Sequence, residues 1–396
     1  MRQEKLPIVC FAGSDWWYHN RGLFSAQVLP RLAKHYKVLF VNSLGMQIPS
    51  LKHDVFAVKK MVRKFRSLAR FLRKTDDGMY VLTPIFLPLK NPILNVVANF
   101  ILLLQIKFVM VLLSFKKPVF YVECPTAWEV VKKLNPQFLI YQRTDIFEET
   151  PGGNKSYIES LNNALTSKAD LILYVNTALW REGKKKNANS LLIGHGVDFE
   201  QFANAEQTKY VPEDIAKIPR PIIGFFGDIT EDYCDFSLLE HTAKILPNMS
   251  LVIVGPISSD VSNLQGYKNV FFLGQKPYEE IPHYGKAFDV AIMPWKRNKW
   301  IEFCNPVKTK EYLALGKPIV SIEYPELRPY ADVVYAALNP DEFVNKIQEA
   351  LAENDLDLKR RRRERVMNET WDNKVKRIVE FIEENLKEES HGRFYL

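Results

Sequence analysis

Cysteine is scarce and scattered: Cys10, Cys124, Cys234 and Cys304 form no C-x-x-C pair. Such spacing argues against a zinc site and fits a reducing compartment. The chain has no G-x-G-x-x-G and no G-x-x-x-x-G-K-[ST], so a dinucleotide or ATP fingerprint is absent. No D-x-D-type carboxylate pair stands where it would serve a ligand, so no metal and no cofactor are expected. No short-period repeat is visible. The apolar run 8–12 is too short for the h-region of a signal peptide and reads as a strand, which leads to the expectation of a cytoplasmic protein. No recognisable nucleic-acid module or interleaved stacking platform is present, so nucleic acid is not an expected partner.

What is there is the material of a folded enzyme-sized chain. At 396 residues, with 47% apolar and 25% charged residues, two domains are the natural expectation. The net charge of +8 favours anionic partners. Continuous apolar runs alternate with helical segments. The first set is 8–11, 37–41, 80–82, 119–122, 138–141, 171–175 and 190–193. The second is 221–226, 251–254, 270–273, 290–293, 319–321 and 333–335. Unbroken apolar runs are expected of parallel strands covered on both faces by helices. The pattern predicts an α/β protein with two Rossmann-like, doubly wound domains, at 1–203 and 221–368. The aperiodic stretch 204–220 reads as a linker. Residues 369–396 read as a C-terminal amphipathic helix, marked by Trp371, Val375, Ile378, Val379, Ile382 and Leu386.

Two segments suggest a membrane. Eight of the sixteen residues at 59–74 are basic and none is acidic, and Met61, Val62, Phe65, Leu68, Ala69 and Leu72 recur at helical spacing. A basic amphipathic helix of this kind suits an anionic membrane surface. The stretch 93–115 has the length of a span, but Asn95, Asn99, Gln105 and Lys107 interrupt it without forming a clean polar stripe. It reads as a mostly buried helix, or one that dips into a membrane surface. The run 359–363 reads as a solvated basic face.

Chemistry is expected at strand ends, where open α/β sheets bind ligands. After the first run come Asp15 and His19, with Arg21 and three aromatics. After 138–141 comes Asp145, a candidate base with Arg143 as a candidate partner. Before the linker stands Gly194-His195-Gly196-Val197-Asp198, whose glycines would let the backbone near a ligand. Asp15, His19, Asp145 and His195 are the catalytic candidates. In the second half, Gly224 and Gly227 end the first run, and Gly274-Gln275-Lys276 follows the third, a suitable place for a nucleobase. Lys296 and Arg297 form a basic loop able to neutralise a diphosphate.

The stretch that organises the rest is 305–321. Asn305 suits a helix cap and Pro306 the first helical position. Gly316 suits a left-handed stop, and Pro318 prevents continuation. Free first-turn N–H groups, the dipole and Lys308 together make a phosphate site. Glu311, one turn on, shares that face. A cation for phosphate beside a carboxylate for sugar hydroxyls suggests a nucleotide-sugar site. Gly227, Lys276, Lys296, Arg297, Asn305, Lys308 and Glu311 are therefore the donor-site candidates.

Three pieces together carry a resemblance to a known family: Gly194-His195-Gly196-Val197-Asp198, Gly255-Pro256 with Phe272-Leu273-Gly274, and Asn305-Pro306-x-Lys308-x-x-Glu311-Tyr312-Leu313-Ala314-x-Gly316-Lys317-Pro318. The chain resembles the GT-B glycosyltransferases, in particular the glycosyltransferase-4-like group and its teichuronic-acid and cell-envelope polysaccharide members. The resemblance implies that Lys308 and Glu311 hold the donor's phosphate and ribose. It also implies a C-terminal helix that returns to the first domain. Two departures stand out. The group's first glutamate of a Glu-x7-Glu pair would fall at Phe303, while this chain has Glu302. The group's basic residue after the first strand of the second domain is replaced by Asp228. The expected activity is transfer of a sugar from a nucleotide-diphosphate donor to a lipid-linked or polysaccharide acceptor, at the inner face of the cell membrane. The rivals are a nucleotide-sugar epimerase of the same fold and a catalytically silent scaffold.

Overall fold

A computed structural model describes residues 5–18, 22–44, 66, 69–86, 92–149 and 153–392. The chain divides into two compact units, one of residues 1–194 with 374–396, the other of residues 195–373. The stretch 204–220 lies inside the second unit. Its short helices bury Ile215 and Ile218 in that unit's core, so apolar anchoring overrides its lack of periodicity.

In the first unit, β1 (Pro7–Phe11), β2 (Lys37–Val41), β3 (Leu72–Lys74), β4 (Tyr80–Leu82), β5 (Val119–Val122), β6 (Leu139–Arg143), β7 (Leu171–Tyr174) and β8 (Ser190–Leu192) form one sheet. Its order is β3-β4-β2-β1-β5-β6-β7-β8. All pairings are parallel except β3 with β4. The central strands β1 and β5 are buried along their whole length. Each fully buried Val, Leu, Ile or Phe there contributes about 1.5–3 kcal/mol.

Strand β3 corrects the reading of 59–74 as one helix. Leu72, Arg73 and Lys74 pair with Leu82, Val81 and Tyr80. The reversal is made by Thr75-Asp76-Asp77-Gly78, with Gly78 at φ 84° and its N–H donating to the Thr75 carbonyl at 3.0 Å. A left-handed glycine after two aspartates is a hairpin signal, and it ends any helix before it. Residues 59–65, 67 and 68 of that segment lie outside the described residues.

In the second unit, β9 (Ile222–Phe226), β10 (Ser250–Val254), β11 (Val270–Gly274), β12 (Val290–Met293), β13 (Ile319–Ile322) and β14 (Tyr335–Ala337) form an all-parallel sheet of order β11-β10-β9-β12-β13-β14. The edge strand β14 starts later than the run 333–335 implies, because Val333 and Val334 bond back to Tyr330 in a turn. Helix starts are set by side-chain caps. Asn154, Asn176, Asp235, Asn339 and Asp355 each accept first-turn N–H groups, satisfying donors the helix itself leaves open. The final helix, Trp371–Gly392, buries Trp371, Val375, Ile378, Val379 and Ile382 on one face, as its spacing predicts. The run 359–363 is not simply a solvated face. Arg362 is buried, with its guanidinium on both carboxylate oxygens of Glu353 at 2.6 and 2.5 Å, and Arg363 donates to the Ala314 and Leu315 carbonyls.

Candidate functional site

The second sheet reverses its winding at β9, which has β10 on one side and β12 on the other. Such a reversal opens a crevice at the C-terminal strand ends. Three glycines line those ends: Gly227 (φ 149°) after β9, Gly255 (φ 154°) after β10, and Gly274 (φ 70°) closing β11. They are linked in a row, Gly227 N–H donating to Val254 O at 2.8 Å and Gly255 N–H to Gly274 O at 2.9 Å. A Cβ on Gly255 would lie 1.9 Å from the Gly227 carbonyl oxygen, and one on Gly227 would lie 2.1 Å from Lys308 Cε. Gly224 has a different job from the one its position suggests. It is buried within β9, and a Cβ there would collide with the Phe288 ring at 2.1 Å.

The helix Val307–Leu315 delivers its first turn to this row. Its N-cap is Pro306, in an extended conformation, with no side-chain cap bond. Asn305 therefore does not cap the helix; it stands one residue outside, with its amide 3.4 Å from Glu326 Oε2. Gly316 does close the helix, at φ 75°, with Lys317 N–H returning to Tyr312 O at 3.1 Å. The body of the helix is fixed to the sheet. Phe226 N–H donates to the Tyr312 hydroxyl at 2.9 Å, and the hydroxyls of Thr309 and Tyr324 lie 2.6 Å apart.

Lys308 and Glu311 leave this helix into different surroundings. The Lys308 ammonium lies 5.8 Å from the ring centres of both Phe225 and Trp295, and 2.8 Å from where a Cβ on Gly227 would be. Glu311 is buried, and its Oε1 accepts from the Tyr278 hydroxyl at 3.0 Å. Burial holds its carboxyl up at about 7, opposed by Lys308 and Tyr278 and reinforced by Asp198. Asp198 ends the Gly-His-Gly-Val-Asp stretch, so that motif and the helix meet inside the second unit. Lys310, unremarked in the sequence, makes the link: its ammonium donates to His195 O at 2.5 Å and pairs with Glu369 at 3.2 Å.

The other candidates separate. Lys296 joins the cluster, because its charge and that of Lys308 both act on the Cys234 thiol, which burial nonetheless pushes up to about 11. Arg297 is exposed on the same loop. Lys276 is engaged in an ion pair with Asp214 at 2.6 Å, where Tyr284 also donates. Asp228 accepts from Ser258 at 2.7 Å. Glu302 is exposed at the end of the short helix Lys299–Glu302. His195 lies edge-on to Trp371, with ring centres 6.1 Å apart. Gly196 is small because Trp371 fills its space, 2.6 Å from where a Cβ would be, and not to admit a ligand.

Asp15 and Asp145 belong to the first unit. Asp15 Oδ1 accepts from Trp17 N–H at 2.9 Å, folding its own loop. Arg143 pairs with Glu148 at 2.6 Å rather than with Asp145. Burial raises the Asp145 carboxyl to about 6, partly offset by a hydrogen bond from Thr144. His19 lies outside the described residues, as does Arg21. One carboxyl escaped the sequence reading. Glu123 directly follows β5, beside β1, where the first sheet also reverses. It is buried; Gly13 N–H donates to Oε2 at 3.2 Å, the Ser25 side chain also supports the carboxylate, and Oε1 has no hydrogen-bond partner by geometry among the described residues. Burial lifts it to about 7. The available signal was a glutamate abutting an unbroken apolar strand at a switch point.

Residues 220–353 match the family model described as glycosyl transferases group 1. A teichuronic acid biosynthesis glycosyltransferase of Bacillus subtilis, TuaH, is 27% identical over 242 residues, covering 57% of this chain and 60% of that protein. The match thus spans less than two thirds of that relative. Among solved structures, sucrose-phosphate synthase from Thermosynechococcus elongatus superposes with a TM-score of 0.71 at 15% identity, over 97% of this chain and 100% of the other. Anabaena HepE, solved in complex with UDP and glucose, gives 0.64 at 14% identity, over 96% and 100%. At these identities the likeness establishes the fold, the expected pair of Rossmann-like domains of the GT-B class.

Proposed function

We propose, from the match of residues 220–353 to the family model described as glycosyl transferases group 1, that the protein transfers a sugar from a nucleotide-diphosphate donor to a lipid-linked or polysaccharide acceptor of the cell envelope. The observation that carries the reading is Lys308, seated against Gly227 at the sheet's reversal and on the first turn of a helix. A diphosphate placed there meets a full cation, open N–H groups and the positive dipole end. Glu311 accepts from the ribose hydroxyls, and the base lies along the turn at Gly274 and Gln275. The UDP-bound relative HepE and the teichuronic acid enzyme TuaH support this choice of donor class and acceptor class.

Catalysis on this reading is stabilisation of the departing diphosphate. Negative charge grows on the bridging oxygen as the glycosidic bond breaks, and Lys308, Lys296 and the helix N-terminus face it. The aromatic floor of Phe225 and Trp295 lowers the local dielectric, which strengthens those contacts. The acceptor belongs to the first unit and its inner-membrane-face location, with Asp15 and Asp145 as the carboxylates available to it.

The test is calorimetric titration with UDP-, GDP- and TDP-sugars, followed by product analysis with and without an acceptor fraction. One donor should bind, and Lys308→Ala and Glu311→Ala should each abolish or greatly weaken its binding. An altered free nucleotide-sugar without acceptor would instead make the protein an epimerase. Absence of binding by every donor would make it a scaffold.

A further inference from the structure

We propose that the helix Pro92–Leu112 is a lipid-facing anchor, lying along an anionic bilayer surface with its apolar face in the acyl boundary. The surface differs from the basic segment 59–74, and the inference does not depend on the donor-site reading.

This helix is inside out for a soluble protein. Ile93, Val97, Phe100, Leu104, Phe108 and Val111 recur every three or four residues and are 50–79% exposed. They form a stripe of about 27 Å at 1.5 Å per residue. The opposite face is sealed: Leu102, Ile106 and Val109 are fully buried, and the helix packs beside Trp128–Leu134. Two of the polar interruptions are turned away from the stripe, while Lys107 is exposed at its edge. Asn99 is buried, and Gln105 exchanges two hydrogen bonds with the backbone of Ile85, at 2.8 and 3.0 Å. That clamp adds the exposed Ile85 to the apolar surface. An apolar patch of this extent is abnormal for a surface left in water.

Three features select a bilayer as the occupant. From Gly78 to Val122 the sequence contains no Asp or Glu, while Lys107, Lys116 and Lys117 are exposed. Flexible lysines beside an apolar stripe reach lipid phosphates while their stems stay in the apolar layer. A second copy of this chain is disfavoured, since a twofold contact sets the same surface on itself and would bring like charges together without an acidic counterpart in the segment. A span is disfavoured because one face of the helix, with Leu102, Ile106 and Val109, already packs on its own domain. The remaining geometry is a helix in the interface plane.

The experiment is flotation of the full chain with phosphatidylcholine vesicles and with vesicles containing phosphatidylglycerol. The expected result is binding to the anionic vesicles that weakens with salt and persists in part through the apolar term. Combining Phe100→Glu, Leu104→Glu and Phe108→Glu should lower the partition by about tenfold or more, while Leu356→Glu, on an exposed side chain of the second unit, should leave it unchanged. Hydrogen exchange on the unmodified protein gives a readout that no folding defect can confuse: amides across 93–112 should slow when anionic vesicles are added. Unchanged exchange there, equal flotation of the triple variant, or a lipid-free dimer that the triple variant dissociates would each overturn the assignment. Donor titration of the triple variant reports separately on the second unit.

Discussion

The ammonium of Lys310 donates to the backbone carbonyl of His195 at 2.5 Å, 115 residues away in sequence. Two positions earlier on the same helix, Lys308 points to the glycine row instead. Neighbouring lysines thus have opposite surroundings: one holds a loop, the other faces the glycine row.

Their substitutions should separate accordingly. Lys308→Ala should leave the melting temperature within about one degree of the parent, because it removes a half-exposed side chain, yet abolish donor binding. Lys310→Ala removes a buried ammonium's bond to the His195 carbonyl and its ion pair with Glu369, and should destabilise the protein by about 2 kcal/mol. Thermal melts run beside calorimetry distinguish the two.

Gly227 and Lys308 share one space. Gly227→Ala places a methyl 2.1 Å from Lys308 Cε at a φ of 149°, which a side chain rarely adopts. Donor affinity should fall about tenfold or more, since the cation must move by more than an ångström to relieve the contact. Lysine at 308 is flexible enough that the fold should survive, which circular dichroism checks.

Glu311 titrates at about 7 in the folded protein, so its carboxylate fraction grows between pH 6 and 8. If ribose hydroxyls donate to it, donor affinity should rise several-fold over that interval. Glu311→Gln should flatten the dependence. Isothermal titrations at pH 6, 7 and 8 measure both.

Glu123 offers a stability counterpart. Its folded value is about 7 against an ordinary 4.5, so between those values the folded state keeps a proton that the unfolded chain releases. Its contribution to stability therefore falls as pH rises through 4.5 to 7 and levels off above, a loss of about 3–4 kcal/mol at most. Glu123→Gln keeps an acceptor for Gly13 N–H without the charge. It should be more stable than the parent at pH 8 and equal to it near pH 4.5, as chemical denaturation at the two pH values would reveal.

Much of the fold was legible because parallel strands buried on both faces must be apolar throughout. Thus 119–122 and 290–293 coincide with β5 and β12. Gly316 was legible as a stop because a left-handed residue and a following proline leave few alternatives. The candidate site was legible in part. Lys308 and Glu311 follow from spacing on one helix, whereas Lys310, Tyr278 and Glu123 owe their surroundings to chain segments that no local pattern relates to them. Asn305 looks like a cap by residue type, but the chain enters the helix one residue later, at Pro306.

By itself the sequence determined the alternation of strand and helix, the two-sheet architecture and the helix that carries Lys308 and Glu311, since each depends on local periodicity and local backbone preference. Only the tertiary structure decided which glycines stand at the candidate site and which serve packing. Gly227 adjoins Lys308, while Gly196 makes room for Trp371 and Gly224 for Phe288. It also decided which face of 92–112 looks outward. Periodicity says that a helix has two faces; what packs against one of them says which face is left for the surroundings.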